Sequence, residues 1–301
     1  MKSMRYTEWK SRERRGNLAN KSTLYICPTP IGNLDDITIR VLNILKEVDL
    51  IAAEDTRHTI KLLNHFNIKK PLTSYHEHNK KEKGRVLIDK LLNGENIALV
   101  SDAGMPGISD PGEDLIRQAI ENDINVVGLP GATASILALV VSGLPTDKFV
   151  FEGFLSSKKK ERKESLTELK REKRTIILYE SPHRLKALLK DIVEVLGDRE
   201  IAVVRELTKK YEEVFRGTVS EAIKKINKEG VRGEFVVVIK GAENDQIKDE
   251  EKELWLDISI KEHIILYINK GFSKKEAIKK VSVERGIPKR EVYKEAIEIQ
   301  V

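Results

Sequence analysis

The stretch IALVSDAGMPGISDPGEDLIRQAIEND, residues 97–123, decides the fold. IALVS is a short apolar run that reads as a strand. Ser101 to Gly112 is a loop of glycines, prolines and aspartates. GEDLIRQAIEND then returns apolar residues at helical spacing. Outward on both sides the same unit recurs. Upstream, LYICPTP (24–30) ends a strand, and Asp35 and Asp36 precede the helical pattern ITIRVLNILKEV (37–48). DLIAAE (49–54) is a strand, TRHTIKLLNHF (56–66) a helix, and LTSY (72–75) a strand. EKGRVLIDKLLNGE (82–95) is a helix stopped by Gly94. Downstream, NVVGLP (125–130) is a strand, and GATASILALVVSG (131–143) a small-residue helix stopped by Gly143. Strands alternating with helices in this way predict a mostly parallel, doubly wound α/β domain over 23–147.

A second α/β unit is expected over 148–242. FVFEGF (149–154), RTIILYE (174–180), REIAVVREL (199–207), EEVFRGTV (212–219) and GEFVVVIKG (233–241) read as strands. Between them lie a basic helix over 158–172 and a helix opened by Ser181-Pro182 and closed by Gly197. The last strands leave room for about one helix, so this sheet is expected to be mixed. NDQIKDEEKE (244–253) reads as an acidic linker. A helical unit over 254–301 follows. In it Ser273 and Glu276 form a capping box, Gly286 ends a helix and Pro288 starts the next, a helix-turn-helix pattern.

Composition sets the class. The chain has 301 residues, of which 40% are hydrophobic and 34% charged, a core-forming balance. A single cysteine, Cys27, excludes an intrachain disulfide and a multi-thiolate zinc site. No apolar run is long enough to span a bilayer. MKSMRYTEWKSRERRGN is not a signal peptide, so a cytoplasmic location is expected. The net charge of +6 is concentrated in a basic arm (1–22), in 156–174 and in 270–294, against an acidic stretch at 241–262. Separated basic patches suit a polyanion such as RNA, although Lys- and Glu-rich helices are often merely solvated.

In a doubly wound sheet, ligands bind beyond the carboxyl ends of the strands, and the unusual loops gather there. They are 28–33, 54–57, 74–79, 101–112, 129–134, 179–184 and 232–234. Gly104, Gly107 and Gly112 let a ligand approach the backbone. Pro130-Gly131 opens a helix whose first N–H groups are free. No dinucleotide fingerprint, P-loop or HExxH is present. A two-histidine metal site at His76 and His78 is a weak alternative to a solvated or RNA-facing pair.

The motifs PTPIGNLDDIT (28–38), AEDTR (53–57), SDAGMPGISDPG (101–112), LPGATA (129–134), EGFL (152–155), YESPHR (179–184) and RELTK (205–209) occur in that order. On them the chain resembles the tetrapyrrole-methylase superfamily of S-adenosylmethionine (SAM) methyltransferases. Within it, the chain is similar to the bacterial branch that methylates the 2′-oxygen of a cytidine in small-subunit ribosomal RNA. The resemblance runs from about Leu24 to Gly241 and more weakly into the C-terminal helices. It implies two α/β domains with SAM in the cleft between them, a small C-terminal helical domain, and a homodimer. Carried over by position, Gly104, Met105 and Ile108 border the methionine part of SAM. Thr133 and Ala134 meet it from a helix start, and Pro30, Tyr179, Gly233 and Glu234 close the pocket. Relatives carry Gly-Asp-Pro where this chain has Gly104-Met105-Pro106. The SAM ammonium must then be held by a backbone carbonyl or another carboxylate, with Asp102 beside Ser101 the nearest.

Methyl transfer needs the acceptor oxygen in line with the sulfur–carbon bond, and a base or donor to tune a weakly acidic hydroxyl. No metal is required. Glu54, Asp55, Arg57 and Glu180 are the catalytic candidates, with Arg57 better suited to holding a phosphate. AEDTR reads alternatively as an RNA-facing lip or as an N-cap cluster for the helix 56–66. The helix 158–172, Arg57, His76, His78, Arg184 and the C-terminal helices are expected to track RNA phosphates. Three rivals stand beside this reading: the same fold acting on a tetrapyrrole, a relative that methylates a protein in diphthamide synthesis, and a non-catalytic RNA-binding assembly module.

Overall fold

The computed structural model describes residues 22–243, 258–297 and 299. The first sheet holds five parallel strands, β1 (Thr23–Ile26), β2 (Leu50–Ala53), β3 (Leu72–Ser74), β4 (Ile97–Val100) and β5 (Asn125–Gly128), in the order β3-β2-β4-β1-β5. Parallel neighbours need crossovers, supplied by helices α1 (Ile39–Glu47), α2 (Thr56–His65), α3 (Lys80–Leu92) and α4 (Gly112–Glu121). β2 and β4 are buried at every residue, whereas edge strand β5 is not. Alternation along β4 feeds two cores. Ile97 and Leu99 pack with Leu24, Leu87 and Leu115, while Ala98 and Val100 pack with Val41, Leu45 and Leu63.

The second sheet holds β6 (Phe149–Phe154), β7 (Thr175–Glu180), β8 (Glu200–Arg205), β9 (Glu213–Thr218) and β10 (Phe235–Ile239), in the order β6-β7-β10-β8-β9. It is mixed. β6 and β7 are parallel, and the remaining pairs are antiparallel. The last strand, β10, takes the centre, which suits its five consecutive buried residues. Its antiparallel direction puts its amino end beside the carboxyl end of β7, where Phe235 pairs with Glu180. The turn 232–234 thus reaches the ligand edge.

Helix α5 (Ala134–Ser142), which follows β5, packs on the second sheet rather than the first. Its Ala138 and Leu139 join Ile177, Val204, Val236 and Val238, and Ile31 from the β1 loop enters the same cluster. One apolar core therefore spans both units. The opposite face of the second sheet is covered by α6 (Lys159–Glu168), α7 (Pro182–Leu196) and α8 (Val219–Glu229). The basic segment is shorter than its sequence pattern: α6 stops at Glu168 and a 3₁₀ turn, Leu169–Arg171, follows.

Three helices, α9 (Ile260–Asn269), α10 (Lys274–Arg285) and α11 (Lys289–Ala296), form a third unit around Ile264, Ala277, Val281 and Val292. Ser273 and Glu276 complete the expected capping box, and Gly286 ends α10 in the left-handed region, φ +64°. Of the basic arm 1–22 only Ser22 is described, and the acidic linker 244–253 lies outside the described residues.

Candidate methyl-donor cleft

The carboxyl ends of β2, β4 and β7, the start of α5 and the turn before β10 surround a cavity of about 520 Å³. Its floor is built by the β4 loop. The Gly104 N–H donates to the Thr29 carbonyl at 3.0 Å, and the Thr29 N–H donates back at 2.9 Å. Thr29 Oγ1 donates to the Ser101 carbonyl, and Ser101 Oγ to that of Gly104, both at 3.1 Å. These bonds pin the β4 loop to the β1 loop. Gly104 has φ +82°, a conformation that suits glycine. Further along, Asp110 Oδ1 accepts from the N–H groups of Gly107 (2.8 Å) and Gly112 (2.7 Å). Burial nonetheless raises its pKa above the usual carboxylate value.

The two units meet at Tyr179. Thr133 caps α5 without a side-chain hydrogen bond. Instead the Ser135 N–H donates to the Tyr179 hydroxyl at 3.1 Å, so a free N–H of the helix start is satisfied from the opposite sheet. Phe151 and Phe154 hold the Tyr179 ring edge-on, with centroids 4.9 and 5.5 Å away. On the far wall, Glu234 Oε2 accepts from Lys209 Nζ at 2.9 Å, and the Glu234 N–H donates to Glu206 Oε1 at 2.8 Å. Gly233, at φ +92°, is pressed against Glu206, and a Cβ there would stand 2.5 Å from Cγ of that side chain.

Eleven of the sequence candidates line the cavity: Glu54, Ser101, Asp102, Gly104, Met105, Ile108, Thr133, Ala134, Tyr179, Glu180 and Glu234. Pro30, Gly233, Asp55 and Arg57 do not. Pro30 and Gly233 adjoin lining residues. Asp55 is the N-cap of α2; its Oδ1 accepts from the Arg57 N–H at 2.8 Å, and its carboxylate is gripped by the Arg57 guanidinium, with Nη2 to Oδ2 at 2.6 Å. That grip holds the Asp55 carboxyl far below its ordinary range. Arg57 lies on the exposed face of α2. The lining also contains Asp110, Phe154 and Leu207, which were not singled out. Their signal was present, because SDAGMPGISDPG, EGFL and RELTK contain them.

The four catalytic candidates therefore differ in what they are free to do. Glu180 has a fully buried side chain. Its Oε1 accepts from the Ser181 N–H at 2.8 Å and lies 3.3 Å from Arg184 Nε. Glu54 is half-buried at the cavity wall. Burial first, and the negative charge of Asp102 and Asp110 next, raise its pKa, against a backbone hydrogen bond from Asp102 and the nearby His76. Asp102 Oδ1 accepts from the Asp55 N–H at 2.9 Å, and its Oδ2 lies 3.7 Å from His58 Nδ1. β3 ends at Ser74, so His76 and His78 sit in the turn before α3, ring centroids 6.0 Å apart.

The charge of the cavity is one-sided. Glu54, Asp102, Asp110, Glu180 and Glu234 line it, and among the described residues no lysine, arginine or histidine does. An acidic cleft with an apolar side attracts a cationic, partly apolar ligand. SAM carries a sulfonium and an ammonium beside an aromatic base, and the residues present fit it.

Comparisons with known proteins agree with this geometry. The family description Tetrapyrrole (Corrin/Porphyrin) Methylases matches residues 23–223. A Bacillus subtilis protein named ribosomal RNA small subunit methyltransferase I is 54% identical over 270 residues, 90% of this chain and 92% of its own length. One of the same name from Synechocystis is 47% identical, over 92% of this chain and 98% of its own. Among solved structures, cobalt precorrin-4 methyltransferase superposes with a TM-score of 0.56 at 19% identity, covering 75% of this chain and 98% of its own. The uroporphyrin-III C-methyltransferase of Thermus thermophilus, complexed with S-adenosyl homocysteine, gives 0.53 at 17%, covering 73% and 97%.

Proposed function

The chain belongs to the tetrapyrrole methylase family, and on that premise we propose that it methylates the ribose 2′-oxygen of a cytidine in small-subunit ribosomal RNA. It is a SAM-dependent ribosomal RNA methyltransferase, as its relatives of 44–54% identity are named. Two observations carry the reading. The cleft with five carboxylates offers counter-charge to a sulfonium donor, and the acceptor class is supported by the relatives of 44–54% identity named ribosomal RNA small subunit methyltransferase I.

When bound, SAM supplies an electrophilic methyl group. Asp102 and the backbone around Gly104 would hold its amino-acid end, since Met105 has no charge to offer. Thr133, Ala134, Ile108 and Tyr179 would enclose it, and Glu234, braced by Lys209, would close the far side. Glu54 is the group we assign to take the hydroxyl proton. It reaches the cavity, and its raised pKa makes it a stronger base than an ordinary carboxylate. Asp55 is consumed by Arg57 and the α2 cap. Glu180 is held at Oε1 by the Ser181 N–H and beside Arg184, while its Oε2 is buried without a hydrogen-bond partner. Those two are assigned positioning roles.

Among the described residues, no helix is long and apolar enough to cross a membrane. A ribosomal substrate implies a cytoplasmic location, and the resemblance implies a homodimer, which sedimentation checks. The function is tested by offering labelled SAM with small ribosomal subunits, naked ribosomal RNA or uroporphyrinogen. Label is expected in the RNA fraction, in a linkage that resists alkaline hydrolysis. Label in the tetrapyrrole, or in RNA but fully alkali-labile, contradicts it.

A further inference from the structure

An acidic cleft poses a problem for an enzyme acting on RNA. Affinity for a nucleic acid comes largely from cations that neutralise phosphates, and the cavity wall offers none. The cations must stand elsewhere, and the structure separates those already neutralised from those that are not.

In and beside the basic helix α6 about half of the cations are engaged internally, Lys159 and Lys160 staying exposed. Arg162 is buried and pairs with Asp191, Nη2 to Oδ2 at 2.6 Å. Lys163 pairs with Glu194, Lys158 with Glu161, and Arg174 with Glu172. Arg184 lies against Glu180, and Arg57 is held by Asp55. Several side chains that look like phosphate ligands in the sequence are thus engaged by carboxylates.

The C-terminal unit is built the other way. Three of its five described acids are occupied by its own architecture. Glu262 and Glu276 complete capping boxes with Ser259 and Ser273, and Glu284 accepts from the Tyr267 hydroxyl and lies 3.2 Å from His263. Lys275, Lys279, Lys280, Lys289, Arg290 and Lys294 are all exposed, and among the described residues none makes an ion pair. Lys280 Nζ sits 4.9 Å above the Phe272 ring and 5.3 Å above that of Tyr267. On α11 the buried Val292 and Ala296 mark the inner stripe. At about 100° per residue, Lys289, Tyr293, Arg290 and Lys294 fall on one outer arc of about 140°, and Glu291 and Glu295 on another. Tyr293 is 59% exposed in the middle of the basic arc.

The unit is also separable from methyl transfer. It has its own core and lies beyond residue 223, where the family match ends. The solved fold neighbours account for nearly all of their own length but only 73–75% of this chain.

Resting on the ribosomal RNA reading above, we propose that the C-terminal three-helix unit holds the RNA substrate by its phosphates, with the Lys289–Arg290–Lys294 face of α11 as the main contact. The A-form major groove is too narrow for side-chain readout, so the face grips backbone and does not read base edges. It anchors the substrate while the cleft acts on one ribose.

The test uses the full chain with Lys289→Gln, Arg290→Gln and Lys294→Gln combined. Glutamine keeps helix propensity, and an unchanged melting curve shows that the fold is kept. KM for RNA is expected to rise at least about tenfold, and the slope of log affinity against log salt to fall by about 2–3, from about 0.7–0.9 per phosphate lost. SAM affinity by calorimetry stays within about twofold, since the cleft is untouched. A variant with both lysines changed to arginine and Arg290 retained is expected to keep the wild-type slope. An unchanged KM and slope in the glutamine variant overturns the proposal. So does lost affinity for assembled subunits with naked RNA bound as before, which would make the face a protein contact. If the wild-type chain binds RNA with the steep slope but transfers no methyl group, the functional reading fails while the surface stands.

Discussion

Replacing Arg162 with methionine should destabilise the protein strongly and leave RNA binding alone. The arginine side chain is 6% exposed and that of Asp191 5%, and Arg162 Nε and Nη2 both donate to Asp191 Oδ2, at 2.8 and 2.6 Å. Nη1 also donates to the Ser157 carbonyl at 3.1 Å. Methionine keeps most of the apolar stem but strands a buried carboxylate. Breaking a buried pair on one side costs about 3–5 kcal/mol. For an α/β body of this size each kcal/mol lowers Tm by about 2–4 °C, so the expected fall is about 6–20 °C. The double variant Arg162→Met/Asp191→Leu should recover most of it, because an apolar pair of similar volume is often neutral. Lys163→Met, beside the exposed Glu194, should cost less than about 1 kcal/mol. Thermal and urea unfolding measure all three variants, and filter binding measures RNA affinity. A loss from Arg162→Met below about 1 kcal/mol, together with a salt slope reduced by about one, would refute the claim that this cation is structural.

Glu54→Gln should lower kcat by about 10²–10⁴-fold with SAM affinity preserved. In the wild type the carboxylate must be deprotonated to act, so kcat falls as pH drops through its raised pKa. Asp102→Asn removes one of the charges that raise it and should shift that acid limb to lower pH. Gly131→Ala would place a Cβ 2.4 Å from Pro28 Cβ and force the β1 and β5 loops apart. A loss of about 1–3 kcal/mol in stability and weaker SAM binding are expected, and calorimetry showing neither would contradict the close approach. Cys27 is buried, and burial pushes its thiol up to about 12. Iodoacetamide at pH 8 should leave it unmodified in the native protein and alkylate it in urea.

Local features were readable in the sequence. The runs IALV, LIAA and FVVVI announced strands because buried sheet positions demand unbroken apolar stretches, and all three are buried at every residue. Gly104 and Gly286 stand where the backbone takes positive φ. What could not be read was pairing over distance. Nothing in GEFVVVIKG says that it inserts between β7 and β8, and its direction is what brings Glu234 to the cavity. Nothing in KKKERKES shows that Arg162 is matched by Asp191 and Lys163 by Glu194, both on a helix beyond the next strand. Charge was legible as composition, but neutralisation is a tertiary property. The same limit hid the hydrogen bond from Ser135 to Tyr179 that joins the two units.

The central claim is tested most directly on small ribosomal subunits from cells lacking the modification. They are incubated with the protein and labelled SAM, and the RNA is digested to nucleosides and analysed by mass spectrometry. The account predicts one labelled nucleoside, 2′-O-methylcytidine, formed at close to one per subunit and lost with Glu54→Gln. A methyl group on a base, or on the ribose of another nucleoside, would contradict it.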